Sequence, residues 1–65
     1  MQYYNFETIF FTLAVRLGEY LKENGVYFEK SKANEWYHFE ILTDASGAEK
    51  IENFIHSITT YDVEV

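Results

Sequence analysis

The segment NEWYHFEILT, residues 34–43, alternates in the way that is typical of a β-strand. A strand with one face in the core normally has apolar side chains on that face and polar ones on the other. Here both faces would carry large side chains, with Tyr37, Phe39 and Ile41 on one and Trp36, His38, Glu40 and Leu42 on the other. We therefore expect the first set to lie in the core and the second set to be available to a partner.

The length of the chain limits how much of this surface can be buried. The chain has 65 residues, enough for a single domain over residues 1–65, and a domain of this size buries about 60% of its unfolded surface. It has no cysteine, so neither disulfides nor thiolate metal sites can reinforce it. Aromatic residues make up 20% of the chain. We expect stability to come from dense aromatic packing or from association with another chain.

Apolar spacing predicts the first half of the fold. Apolar residues spaced three and four apart indicate a helix from about Glu7 to Asn24. Gly25 would end this helix by adopting a left-handed conformation. Gly18, inside this helix, suggests that another backbone approaches closely there. Alternating segments then predict a hairpin, with strands in VYFEKS (26–31) and WYHFEILT (36–43) joined through the polar residues of KSKANE.

The second half of the chain predicts another helix and a final strand. SGAE at 46–49 fits a capping box with Ser46 as the N-cap, and two β-branched residues, Thr59 and Thr60, would end the helix. The apolar face of this helix would consist of Ala48, Ile51, Phe54, Ile55 and Ile58. The tail YDVEV, residues 61–65, alternates again and predicts a strand.

These elements predict an α+β fold, a small two-layer sandwich with two helices on one face of an antiparallel sheet. With a first strand in QYYNF, the order is βαββαβ, as in ferredoxin-like folds. If residues 2–6 instead lead into the first helix, the order is αββαβ with three strands. We favour the first order, in which the strand residues under the helices are Tyr4, Phe6, Val26, Phe28, Tyr37, Phe39, Ile41, Tyr61 and Val63.

The charge of the chain argues against nucleic acid as a direct partner. The net charge is −6, and residues 44–65 carry five acidic side chains against one lysine. Nucleic-acid binding normally needs a basic stripe, which this sequence does not contain. The most apolar stretch, residues 9–15, is far shorter than the roughly 20 residues that span a membrane. Without an export signal or cysteine, we expect a cytoplasmic protein that does not bind membranes.

Catalytic and metal-binding chemistry have little support in the sequence. His38 and Glu40 share a strand face and offer two metal ligands, but two ligands do not make a site. No glycine-bracketed nucleophile, phosphate loop or paired-carboxylate motif is present. We therefore expect no enzyme activity, no metal and no cofactor; His38 would be the acid or base if the chain were an enzyme.

The uncovered strand face is the predicted partner-binding surface. It would present a contiguous apolar patch of Trp36, Leu42, Tyr27 and Tyr3, and such patches mark association surfaces. We predict that partners bind through Tyr27, Glu29, Trp36, His38, Glu40 and Leu42, with Asp62 and Glu64 adding acidic surround.

Two functions fit this surface. The first is a small, acidic, non-catalytic protein-binding module, such as an inhibitor of a basic nucleic-acid-handling protein. Phage anti-defence proteins and nuclease immunity proteins resemble it in size and charge, and they offer carboxylates where phosphates would bind. The alternative is a homodimer through the open sheet face, acting as a structural or small-ligand-binding module.

Overall fold

Two helices pack on one face of a three-stranded antiparallel sheet in the part of the chain that the structure describes. That structure is a computed structural model, and it describes the backbone of residues 1–63 and the side chains of residues 1–59. The elements are β1 (Gln2–Thr8), α1 (Phe11–Glu23), β2 (Phe28–Ala33), β3 (Trp36–Thr43) and α2 (Ala45–Val63). The predicted α+β two-layer class is confirmed.

The sheet order is β1-β3-β2, so β3 is the central strand. Both outer strands are antiparallel to β3 and therefore parallel to each other, with α1 as the connection between them. The predicted ferredoxin-like order needs a fourth strand, and residues 61–63, where that strand was expected to begin, belong to α2. The strand prediction is wrong for those residues, while Glu64 and Val65 lie outside the described residues.

The chain begins with a strand, so the αββαβ alternative is wrong. β1 pairs with β3 over seven residues, from Gln2 opposite Thr43 to Thr8 opposite Tyr37. The predicted helix start at Glu7 is also wrong, because this pairing keeps the backbone extended through Thr8. The Thr8 hydroxyl then accepts a hydrogen bond from the Phe10 amide at 3.1 Å, which turns the chain into α1.

The predicted stop of the first helix at Gly25 is confirmed. Gly25 has a φ of 66°, a conformation that glycine adopts without steric cost. The Gly25 amide donates to the Lys22 carbonyl at 3.2 Å, and the Val26 amide donates to the Leu21 carbonyl at 2.9 Å. These two bonds form a Schellman motif, which satisfies carbonyls that the helix end would leave unpaired.

The hairpin is tighter than the polar segment KSKANE suggests. Ala33 pairs directly with Trp36, so the turn consists of two residues, Asn34 and Glu35. Asn34 has a φ of 59°, which asparagine tolerates better than most residues do. This short turn fixes the register of β2 against β3 and thereby the face to which each β3 side chain points.

The second helix begins and ends differently from the prediction. Its N-cap is Asp44, whose Oδ1 accepts from the Gly47 amide at 2.7 Å, and the predicted capping box at Ser46 is wrong. Thr59 and Thr60 do not end the helix, because α2 continues to Val63. The Thr59 hydroxyl donates to the Ile55 carbonyl of the preceding turn at 2.9 Å.

The core lies between the helices and the sheet, as predicted. It is built by buried side chains from both layers, namely Ala14, Leu17, Leu21, Phe39, Ile41 and Ile51. The predicted strand residues of the core face pack here, either buried or partly buried, apart from Tyr61 and Val63, whose side chains are outside the described residues. The predicted close approach at Gly18 is wrong, because a Cβ built there has nothing within 4 Å.

In the described part of the chain, neither helix is both long enough and apolar enough to cross a membrane.

Candidate functional site

The sheet face opposite the helices is uncovered in the described residues, and we call it the open face. Cross-strand pairing brings its side chains together in rows across the three strands. Its members are Tyr3, Asn5 and Glu7 from β1, Tyr27, Glu29, Ser31 and Ala33 from the β2 side, and Trp36, His38, Glu40 and Leu42 from β3. The structure thus brings six of the eight predicted partner-binding residues onto one surface.

The apolar residues of the open face lie at its two ends. At one end, Leu42 of β3 lies between Tyr3 and Tyr27. Tyr3 is its partner on β1, and the Leu42 amide donates a hydrogen bond to the Tyr27 carbonyl at 3.0 Å. Trp36 is six residues from Leu42 along β3, about 20 Å at the rise of a strand. The predicted contiguous patch is therefore wrong, because a polar band separates its members. Trp36 at 50% exposure and Tyr27 at 54% remain accessible at opposite ends.

The band between these ends carries three carboxylates and no cation other than a histidine. One row consists of Asn5, Glu40 and Glu29, and the next consists of Glu7, His38 and Ser31. The described side chains of the open face include no lysine or arginine. This part of the sheet is therefore a source of negative potential.

Glu29 and Glu40 lie directly opposite each other in the β2–β3 pair. Like charges in this position destabilise a strand pair, by roughly 0.2–1 kcal/mol for cross-strand pairs in general. The Tyr27 hydroxyl donates a hydrogen bond to Glu29 Oε2 at 2.6 Å, so one carboxylate has a donor from the protein itself.

This hydrogen bond predicts a shifted titration of Tyr27. The bond to Glu29 and the charge of Glu29 raise the pKa of Tyr27 above the ordinary value of 10.0, because both favour the neutral phenol. We expect Tyr27 to ionise at a pH above that value. An NMR titration of ring-labelled tyrosine measures this pKa, and Tyr27→Phe identifies which signal belongs to Tyr27. Glu29→Gln should lower the pKa again. An unchanged Tyr27 titration in that variant would contradict the assigned contact.

Among the described residues, the one contact within salt-bridge distance joins His38 and Glu7, and it is an ion pair only when His38 is protonated. His38 Nδ1 lies 3.3 Å from Glu7 Oε2, and the two residues are directly paired between β3 and β1. The side chains are 35% and 58% exposed, so water screens the pair, which contributes less than about 1 kcal/mol. When His38 is protonated, this contact offsets part of the acidic charge.

The two possible metal ligands considered in the sequence, His38 and Glu40, were not expected to make a site. No group of three or more histidine, aspartate or glutamate side chains there is arranged to hold a metal ion. His38 and Glu40 share the open face, as predicted, and His38 contacts Glu7.

The predicted acidic surround is not placed by the structure. Asp62 belongs to α2 by its backbone, while its side chain and the whole of Glu64 lie outside the described residues. The carboxylate that sequence reasoning missed is Glu7, which was assigned to the first helix. The alternation of QYYNFET, continued by two residues beyond the predicted strand, would have put Glu7 on the same face as Tyr3 and Asn5.

A second exposed apolar group lies where β1 leads into α1. Ile9 is 48% exposed, Phe10 is 65% exposed and Phe11 is 64% exposed. Ile9 and Phe10 fall within the helix predicted from about Glu7, but they precede the first residue of α1, Phe11. The Phe11 ring packs at 6.1 Å from the Tyr37 ring, and the Lys32 ammonium lies 5.2 Å from the Tyr37 ring centre. This end of the molecule is therefore aromatic, with a lysine over one of its rings.

Comparison with known proteins gives no relative from which a function could be transferred. No family model, no curated protein and no solved structure matches the chain. The site is therefore interpreted from its own geometry and charge.

Proposed function

We propose that the chain is a small, acidic, non-catalytic protein-binding module whose open face binds a basic surface of another protein. The observation that carries this proposal is the carboxylate band, in which Glu29 lies directly opposite Glu40 and Glu7 lies one row away. A cationic side chain placed over this band would meet several carboxylate oxygens with no lysine or arginine of this chain competing.

The position of the two opposed carboxylates supports binding over a purely structural role. A glutamate pair across two strands costs stability in the free protein, and a single glutamine would remove that cost. Local rules of this kind are broken most often at functional sites. An arginine from the partner, with its planar fork of donors, fits two neighbouring carboxylates better than a lysine does.

The exposed aromatic residues at the two ends supply the apolar part of the interface. Tryptophan and tyrosine dominate binding energy at many interfaces, because they bury large areas with little loss of conformational freedom. Trp36 lies at one end of the band and Tyr27 at the other, so a partner that contacts both also covers the carboxylates between them.

The more specific form of the proposal is an inhibitor of a basic nucleic-acid-handling protein in the cytoplasm. The carboxylates would occupy the positions that phosphates occupy in the partner's natural ligand. Small phage anti-defence proteins and nuclease immunity proteins are the analogues, by size and charge alone. The ferredoxin-like order would need a fourth strand beside β1, and residues 61–63, where that strand was expected to begin, belong to α2.

The alternative is a homodimer in which two open faces meet. Such a dimer would place the carboxylate bands of two copies against each other, and like-charge contacts of this kind disfavour association. The two readings differ in how Trp36→Asp changes the mass: a dimer that reverts to monomer in this variant would support the alternative, and a mass that the substitution leaves unchanged would support an open face that is free for the inhibitor.

The test of the proposal is the double variant Glu29→Gln/Glu40→Gln. We expect the variant to unfold at a higher temperature than the wild type, because the like-charge pair is removed at a gain of about 0.5 kcal/mol. We also expect it to lose at least about tenfold in affinity for a basic protein captured by the wild type and then purified, measured by calorimetry. Binding by the wild type should weaken with added salt.

The matched control is Glu19→Gln/Glu23→Gln on the exposed side of α1, which changes the net charge by the same amount. It should keep the affinity of the wild type. An equal loss of affinity in both variants would show that net charge alone attracts the partner, and would contradict a site on the open face.

A further inference from the structure

The outer edge of β1 has no partner strand in the described residues. β1 pairs with β3 along one side for seven residues, and nothing within residues 1–63 pairs with its other side. Every second residue of such an edge directs its backbone N–H and C=O away from the sheet, where they are free to bond another strand. An edge of this length is a template for strand addition.

The two outer strands of the sheet differ in how well their side chains prevent pairing with a strand of another molecule. Natural edge strands avoid pairing by carrying charged residues, lysine above all. β2 has Glu29, Lys30 and Lys32 within six residues, whereas β1 has no charged residue before Glu7. The edge of β1 is therefore the one suited to accept a further strand.

A groove lies beside this edge on the helix side of the sheet. It has a volume of about 380 Å³ and runs between β1 and α2, lined by Tyr4, Glu52, Asn53, Ile55, His56 and Thr59. Tyr4 and Ile55 are partly buried members of the core periphery. Burial and the nearby Glu52 carboxylate raise the pKa of the Tyr4 hydroxyl, as expected where water is partly excluded. A strand added beside β1 would direct alternate side chains into this groove.

We propose that the occupant of this edge is a second copy of the chain, bound by antiparallel pairing of β1 with β1 across a two-fold axis. The pairing would join two three-stranded sheets into one sheet of six strands. It is independent of the proposed function, because it leaves the open face of each copy uncovered.

Two properties of β1 and one of the whole domain favour a second copy of the chain as the occupant. The contact is isologous, so a single edge supplies both halves of the hydrogen-bond ladder and the assembly closes as a dimer. Residues 2–6 carry no charge, so the two strands meet without like-charge repulsion. A domain of 65 residues without disulfides also gains more from added apolar burial than a large domain does.

The first test measures mass by light scattering over about a hundredfold range of concentration, since a dimer of this kind depends on concentration. We expect the wild type to form a dimer and Tyr3→Lys/Asn5→Lys to be a monomer, because lysines on an edge strand block pairing. Both positions are exposed, so the variant keeps its fold, which circular dichroism checks. The matched control, Ser31→Lys/Ala33→Lys, places two lysines on β2 and should remain a dimer.

The second test uses the absence of cysteine from the chain. Six variants would each carry one cysteine, at position 3, 4, 5 or 6 of β1 or at position 31 or 33 of β2. Each variant would be oxidised separately, and the disulfide-linked dimer would be measured. In a two-fold antiparallel pair one residue faces its own copy, so one β1 position should cross-link rapidly and both β2 positions slowly.

Two results would overturn the proposal. One is a wild type that stays monomeric over the whole concentration range. The other is a dimer that persists in Tyr3→Lys/Asn5→Lys and disappears in Trp36→Asp, which would assign the contact to the open face.

Discussion

Phe39→Ala is expected to remove most of the stability of the protein. Phe39 is fully buried at the centre of β3, and its ring lies 6.5 Å from the Phe6 ring and 6.0 Å from the Phe28 ring. Truncation of a buried phenylalanine costs about 3–5 kcal/mol through lost burial and the cavity that remains. In a domain of fewer than about 70–80 residues a single core rarely supplies more than about 3–5 kcal/mol, so the variant should be partly unfolded at room temperature. Urea denaturation followed by circular dichroism measures the loss.

The matched control is Trp36→Ala on the same strand. Trp36 is half exposed and points to the opposite face, so we expect its truncation to cost less than about 1 kcal/mol. If the two variants lost equal stability, the assignment of Phe39 to the core and Trp36 to the surface would be wrong.

Gly47→Ala and Gly18→Ala are expected to change stability in opposite directions. Both glycines lie inside helices, where alanine is favoured by about 1 kcal/mol when space allows it. At Gly47 a Cβ would collide with the Thr43 hydroxyl oxygen and would lie 3.2 Å from Asp44 Oδ1, the atom that caps α2. Thr43 is buried and its β-branched side chain has few alternative rotamers, so we expect Gly47→Ala to cost about 1–3 kcal/mol.

Gly18→Ala has no such obstacle, because nothing lies within 4 Å of the added Cβ. We expect this variant to gain up to about 1 kcal/mol. Thermal unfolding of both variants beside the wild type provides the measurement. A loss of stability in Gly18→Ala would restore the close approach that the sequence suggested and the structure does not show.

The features that could be predicted from the sequence are those that depend on periodicity. The alternation of residues 36–43 assigns Phe39 and Ile41 to the core, and the three-and-four spacing assigns Leu17, Leu21 and Ile51. A two-layer sandwich must turn the apolar face of its sheet toward the apolar faces of its helices. Strand alternation and helical spacing together therefore identify the residues that are buried between the layers.

The features that could not be predicted depend on alternatives of similar energy. The five residues YDVEV are too short to distinguish a strand from the last turns of a helix. The segment TDAS contains three residue types that are common at the N-cap. In the structure the Asp44 carboxylate, and not the Ser46 hydroxyl, accepts the capping bond from the Gly47 amide. The open-face patch failed for a different reason: alternation assigns a residue to a face but does not give its distance from others on that face.

The pairing of β1 with β3 also bears on the order in which the chain acquires its structure. The β2–β3 hairpin joins neighbouring segments through a two-residue turn, whereas β1 pairs with residues that follow all of α1 and β2 in the sequence. Strands that are close in the sequence pair quickly, because the loop between them is short. Strands that are far apart pair more slowly, because closing a long loop costs more chain entropy. On the ribosome β1 emerges before β2 and β3, and we expect it to pair after the hairpin has formed, because Tyr3, Tyr4 and Phe6 have no partner strand until β3 has been synthesised.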